Sequence, residues 1–386
     1  MKRIFYVVLV SFILGYNSQA QVSFIDNNWE TAFAEARNTN KFVFVDCYTD
    51  WCSWCKVMDK NTFSNTEVGS NMSEKFVALK LNMEKGYGIN VAMKYGVSAF
   101  PSYLVLNAEG YLIKKLMGYM EVQPFLQSLT SILENPTPIN GYSNSIKTDY
   151  PLFYTYTFDG NKETPRPAAE EVYKYLDTQT DLLNETNFNI LKRYQINEKY
   201  AQVILNQYDN YKQMYGDEAN DLIEKVIDVK LETAIANKSL EQLALVVDLP
   251  HKYQLANASE TEVNLKAQYY LGINDCDNYA LTINQFVESQ NEVMPATLNS
   301  YSWTVYEKCN SKKSIDLALV WIERALSKEE DYASMDTYAA LLYKAKNYSK
   351  AKTIAEKAIK IGTADGEDVS ETQKLLAKIN AASIKK

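Results

Sequence analysis

The residues with the clearest chemical capacity are six in a row, Trp51-Cys52-Ser53-Trp54-Cys55-Lys56. Two cysteines separated by two residues can close a small disulfide and reopen it by thiolate exchange. Where such a pair opens a helix, the free N–H groups of the first turn and the positive dipole end favour a thiolate on the first sulfur. Cys52 is therefore the expected attacking sulfur. Cys55, one turn further on and expected to be more buried, resolves the mixed disulfide that forms. The rival chemistry for such a pair is zinc, which takes four tetrahedral ligands. The remaining candidates are the only histidine, His251, and the scattered Cys47, Cys276 and Cys309, so no metal is expected. The required redox group is the dithiol itself, with no added cofactor.

The elements that must hold this pair follow from patterning. Asn28 to Arg37 has helical spacing with Trp29, Ala32, Phe33 and Ala36 on one face. Phe42-Val43-Phe44-Val45 suits a central strand covered on both sides. A polar helix is expected through about Phe63, strands at Phe76–Leu81, Ser102–Asn107 and Tyr111–Leu116, a short helix at Val91–Tyr95 and a closing helix at Val122–Leu133. Alternating strands and helices imply an α/β sheet. Asn135-Pro136-Thr137-Pro138-Ile139-Asn140-Gly141 reads as a linker, which sets domains at 21–134 and 151–386 with a connection over 135–150. The second is helical throughout, with polar turns at Asn237–Ser239 and Gly362–Gly366. Tyr306, Ala318, Ile322 and Ala325 recur 33 residues later as Ala339, Ala351, Ala355 and Ala358. That period fits stacked helical hairpins over about 300–384, with an irregular bundle as the alternative.

Composition bounds the partners. The 386 residues carry 40 basic against 48 acidic side chains, a net charge of −8, which excludes a nucleic-acid or basic membrane-docking role. Met1-Lys2-Arg3, the apolar Ile4–Leu14 and the small residues of Ser18-Gln19-Ala20 have the form of a signal peptide over residues 1–20. Its apolar stretch is shorter than the ~20 residues needed to span a bilayer. The expected protein is periplasmic or otherwise exported, and soluble after cleavage. In an oxidising compartment Cys276 and Cys309 either pair or stay buried as free thiols. Cys47 is expected to be a buried free thiol, and His251 a solvated side chain.

Over roughly residues 24–134 the chain resembles thioredoxin-fold proteins. The resemblance rests on Val45-Asp46-Cys47-Tyr48-Thr49-Asp50-Trp51-Cys52-Ser53-Trp54-Cys55-Lys56, on Lys80 in Leu79-Lys80-Leu81-Asn82, on Tyr95-Gly96-Val97-Ser98-Ala99-Phe100-Pro101-Ser102, and on Gly118. It implies that Asp46 is a buried carboxyl that takes and returns the exchange proton, with Lys80 beside it. It implies a cis peptide before Pro101, with the Phe100 backbone available to an extended substrate and Gly118 flanking the groove. Trp51 and Trp54 would add apolar contact surface for that substrate. The last repeats resemble tetratricopeptide hairpins, in Asp336-Thr337-Tyr338-Ala339 and Lys346-Asn347-Tyr348-Ser349-Lys350-Ala351. The fold class is thus a thioredoxin-fold α/β domain followed by an all-α, tetratricopeptide-like domain, a layout similar to exported thioredoxin-like proteins of Bacteroidetes-type bacteria.

The implied function is a thiol–disulfide oxidoreductase acting on protein or peptide disulfides, re-reduced by a membrane electron donor, with the helical domain available to a protein partner. Neither Ser53 nor Trp54 is the histidine or proline that related oxidants and isomerases often carry there. Without an imidazolium between the sulfurs the reduced form gains less stabilisation and the potential falls, which favours a reductase. An isomerase or oxidase, or a non-catalytic interaction scaffold, is the alternative.

Overall fold

The computed structural model describes residues 21–158 and 166–384, and the expected signal segment lies outside the described residues. A three-residue strand, β1 (Phe24–Asp26), comes first, followed by helix α1 (Trp29–Thr39). Asn28 caps α1 by accepting the Thr31 N–H, and Asn40 ends it in the left-handed conformation at φ 53°. Its buried face is Ala32, Phe33 and Ala36, as the spacing predicts. Strand β2 (Phe42–Tyr48) is buried from Val43 to Cys47, the signature of a strand covered on both sides.

Helix α2 (Ser53–Met58) carries the cysteine motif and passes into a π-helical turn over Asp59–Phe63. There follow α3 (Thr66–Lys75), β3 (Phe76–Asn82), α4 (Tyr87–Tyr95), β4 (Ser102–Leu106), β5 (Leu112–Met117) and α5 (Val122–Glu134). The sheet has the order β1-β3-β2-β4-β5, with β1 and β2 parallel to β3, and β4 antiparallel to both β2 and β5. This is the thioredoxin arrangement, with β2 at its centre. Phe44, Phe63, Tyr103 and Phe125 form an aromatic core between the sheet and α5. Strands β2 and β4 are set in register here, Phe44 opposite Val105 and Asp46 opposite Tyr103. Two elements escaped sequence analysis: β1 is too short to show alternation, and α3 buries only Val68, Gly69 and Met72 within a polar stretch.

The described residues divide into two compact units, those up to 196 together with 207–221, and 197–206 together with those from 222 onward. The first unit continues well past the expected boundary at 134. The segment taken for a linker over 135–150 is held rather than free: the Ile139 N–H donates to the Leu112 carbonyl, the Gly141 N–H to the Met214 carbonyl, and Tyr142 is buried. A Cβ at Gly141 would stand 2.2 Å from the Tyr215 ring, so the polar, Pro-rich composition conceals a close backbone approach. Helices α6 (Leu152–Tyr156), α7 (Ala169–Asp177) and α8 (Glu185–Arg193) also belong to this unit.

Helix α9 (Glu198–Tyr215) is followed by a 3-10 turn at Gly216–Ala219 and then by α10 (Asn220–Asn237), α11 (Leu240–Lys252), α12 (Ala258–Gly272), α13 (Cys276–Ser289), α14 (Pro295–Lys308), α15 (Lys312–Leu326), α16 (Tyr332–Lys344), α17 (Tyr348–Asp365) and α18 (Ser370–Ser383). The 33-residue period falls on two successive hairpins, α14–α15 and α16–α17. Ala318, Ile322, Ala325, Ala339, Ala351, Ala355 and Ala358 are all buried without measurable exposure. The turn expected at Gly362–Gly366 starts only at Gly366, whose φ is 78°, because α17 runs through Gly362. Gly362 is small for packing: an added Cβ would lie 2.7 Å from both Tyr332 and Val369. Cys276, at the start of α13, and Cys309, the residue capping α14, form a disulfide, which resolves the open alternative. His251 ends α11 largely exposed, 2.9 Å from Glu262. Among the described residues no helix is long and apolar enough to cross a membrane.

Candidate active site

Cys52 is the N-cap residue of α2, and its Sγ accepts the Cys55 N–H at 3.0 Å. The two sulfurs are bonded at 2.04 Å, with Cα atoms 5.4 Å apart. The helix start therefore aims a backbone donor at the first sulfur, where it lowers the energy of a thiolate once the bond is opened. The expected contrast in burial is not present: Cys52 is 3% exposed and Cys55 4%. The disulfide bond draws the Cys52 sulfur onto the first helical turn, so both atoms share one environment in this oxidised state. Cys47, directly before the β2 end, is buried and free, and burial pushes its thiol far above the ordinary range.

Asp46 lies on the same sheet face as Phe44, opposite Lys80 on β3 and Tyr103 on β4. Burial pushes its carboxyl up to about 7, and Lys80, with Nζ 3.4 Å from Oδ2, opposes that rise. The other oxygen, Oδ1, has no hydrogen-bond partner among the described residues. Lys80 thus stands where the resemblance puts it, yet its shorter contact, 2.5 Å, is to Asp59. Asp59 also raises the Asp46 carboxyl by like-charge repulsion. Sequence reasoning missed Asp59. Its signal was its place four residues after Cys55, on the same side of a helix, and the π-helical turn carries it to Lys80.

The rim of the site is apolar and exposed. Trp51 and Trp54 are each 58% exposed. Trp51 donates Nε1–H to Glu84 and meets Phe100 edge-on at 5.9 Å, while Trp54 lies against Tyr119 at 5.7 Å. The Phe100–Pro101 peptide is cis. The Pro101 carbonyl accepts the Gly118 N–H at 2.8 Å, which ties the two loops together, and Gly118 adopts φ 92°, a conformation suited to glycine. Trp51, Trp54, Phe100, Pro101 and Gly118 thus lie together on this rim, Asp46 and Lys80 on the paired strands β2 and β3, and Cys52 and Cys55 at the start of α2. Met117, 71% exposed, and Tyr119 join the rim without having been foreseen; alternation along β5 gave no sign that its last residue would face outward beside Pro101. Among the described residues no group of His, Cys, Asp and Glu could hold a metal ion.

The Thioredoxin-like family model matches residues 25–108. The thiol:disulfide interchange protein DsbD of Vibrio cholerae is 34% identical over 105 residues, which are 26% of this chain and 17% of that protein. Spermatogenesis-associated protein 20 of Homo sapiens is 38% identical over 56 residues, 14% of this chain and 7% of that protein. The chain therefore spans less than a fifth of these relatives. Among solved structures, a putative disulphide-isomerase from Bacteroides thetaiotaomicron is 33% identical, covering 30% of this chain and 96% of that one, with a TM-score of 0.29.

Proposed function

We propose that this chain, which belongs through residues 25–108 to the thioredoxin-like family of thiol–disulfide oxidoreductases, works as an exported reductase of protein or peptide disulfides. The observation that carries this reading is the Cys52–Cys55 disulfide at the start of α2, ringed by exposed aromatic side chains. In the reduced protein the Cys52 thiolate attacks one substrate sulfur. The substrate S–S bond breaks, a Cys52–substrate disulfide forms, and the departing sulfur takes up a proton. Cys55 then loses its proton to Asp46 and attacks Cys52. The second substrate thiol leaves, and the protein holds the disulfide. A carboxyl poised near 7 is matched to that proton transfer at neutral pH.

Trp51, Trp54, Phe100, Pro101 and Gly118 are proposed to hold an extended substrate segment. A membrane-bound dithiol donor must return two electrons per cycle, and the helical hairpins of the second unit offer a surface for a protein partner. The Ser53-Trp54 spacer, which holds neither histidine nor proline, favours a reducing direction over an oxidising one. Two measurements test this. Cys52→Ser must abolish insulin-disulfide reduction by the purified protein. The reduction potential must fall near about −270 mV rather than about −120 mV, a value that would assign an oxidant.

A further inference from the structure

The first unit contains a cleft of about 830 Å³ whose lining includes Ser98, Ala99, Ser102 and Met117, close neighbours of Pro101 and Gly118 in sequence. Much of the remaining lining comes from residues outside the thioredoxin-like sheet. Lys192 and Arg193 at the end of α8, Arg166 before α7, Glu218 and Asp221 line the cleft together with Lys115 of β5. The charges divide into two sets. Glu218 takes Lys115 and Lys192, the latter at 2.9 Å, and Asp221 takes Lys192 at 2.6 Å, so these four neutralise one another. Arg193 donates to the neutral Thr157 carbonyl at 3.1 Å, lies over the Phe158 ring at 4.3 Å and hydrogen-bonds the Tyr194 hydroxyl, all neutral partners, and among the described residues neither Arg193 nor Arg166 forms an ion pair with a carboxylate. Among the described residues the cleft therefore keeps two guanidinium groups with no carboxylate partner, in a protein whose net charge is −8.

We propose that this cleft binds an acidic segment flanking the cystine of a peptide substrate, with Arg166 and Arg193 pairing its carboxylates. The proposal deepens the reductase reading and rests on it. Ser98, Ala99 and Ser102 line the cleft within three residues of Pro101, so an extended chain laid beside Pro101, advancing ~3.3 Å per residue, brings side chains flanking its cystine toward the cleft. Guanidinium forks suit carboxylates, and local positive charge speeds the encounter while remaining sensitive to salt. Acidic residues flanking a disulfide thus select substrate without touching the reacting sulfurs.

The test uses the full chain, reduced and freed of reductant, so that its own dithiol supplies the two electrons and two protons in a single turnover. Three synthetic disulfide peptides differ only in three flanking residues, all Glu, all Gln or all Lys. The Glu peptide should react about tenfold faster than the Gln peptide at low salt, the Lys peptide slowest, and the difference should fade near 0.5 M salt. Arg166→Gln with Arg193→Gln should bring the Glu-to-Gln ratio to about one. Arg166→Glu, at an exposed position, should favour the Lys peptide, which guards against loss of fold at Arg193. Equal rates for Glu and Gln peptides, both reduced, would overturn the cleft proposal and leave the reductase standing. If no peptide is reduced, the reductase reading falls. Fluorescence polarisation with cysteine-free Glu and Gln peptides then decides the cleft alone, and equal binding overturns it.

Discussion

Asp46 is placed where its charge is hardest to keep. Unfolded, it ionises near 3.8, and in the folded chain near 7, because burial outweighs the attraction of Lys80. Between those pH values the folded chain retains a proton that the unfolded chain has lost, so stability falls as pH rises from about 4 to about 7 and stays low above it. At ~1.4 kcal/mol per pKa unit the loss is on the order of 4 kcal/mol. Asp46→Asn should therefore raise the unfolding free energy of the oxidised protein by about 2–4 kcal/mol at pH 8 and by little at pH 4, measured by urea titration. The same variant should turn over disulfides at least about tenfold more slowly at pH 7, with the rise of rate through pH 7 flattened. A gain in stability at pH 4 equal to that at pH 8 would remove the ionisation from the explanation. The resolving role of Cys55 makes a separate forecast at this scale. Cys55→Ala should accumulate substrate covalently on Cys52, seen as adducts that dissolve on reduction, and a clean non-reducing gel would refute it.

The elements that carry the redox chemistry were legible because that chemistry restricts them narrowly. A dithiol must open a helix, a strand must run beneath it, and Phe42–Val45 has no other plausible use than a buried strand. The details that failed were those set by packing at a distance. Asp59 meets Lys80 at the point where α2 passes into a π turn, a change that leaves no mark on apolar periodicity, so its i, i+4 spacing from Cys55 was the one trace of it in the sequence. Gly362 read as punctuation, yet it serves as a close contact for Tyr332 and Val369. The two helices joined by Cys276 and Cys309 give a prediction of their own. The bond closes a span of 33 residues, and the chain-entropy account assigns such a loop about 4 kcal/mol. Cys276→Ala with Cys309→Ala should lower the urea midpoint of the helical signal by a corresponding amount while single-turnover reduction by Cys52 persists. An unchanged midpoint would show that packing alone holds α13 to α14.

At the scale of the chain, the first unit is larger than the redox domain that its motifs announce, and the reason lies in pairs that no local pattern could reveal. Lys94 of α4 is wholly buried, and its Nζ meets Glu185 of α8 at 2.7 Å, 91 residues along the chain. Ser143, inside the stretch that composition marks as a linker, donates its N–H to the same carboxylate, and the Asn189 side chain donates to the Lys94 carbonyl. Nothing local in the sequence marks either residue for burial: Lys94 lies in the short helix expected at Val91–Tyr95, and Glu185 opens α8. Burying both charges is worthwhile only when each satisfies the other, so removing one partner should cost far more than removing two. Glu185→Leu should destabilise the first unit by about 3–5 kcal/mol, because it strands a buried ammonium. Lys94→Met with Glu185→Leu should recover most of that loss, the remainder reflecting the Ser143 N–H left without its acceptor. Urea unfolding followed by Trp51 and Trp54 fluorescence, in a background where Trp29, Trp303 and Trp321 are replaced by Phe so that the signal reports the rim of the redox site, measures both variants. If the single and double substitutions cost the same, the pair contributes no coupling, and the extension of the first unit past residue 134 must rest on apolar contacts such as Tyr142 against Tyr215.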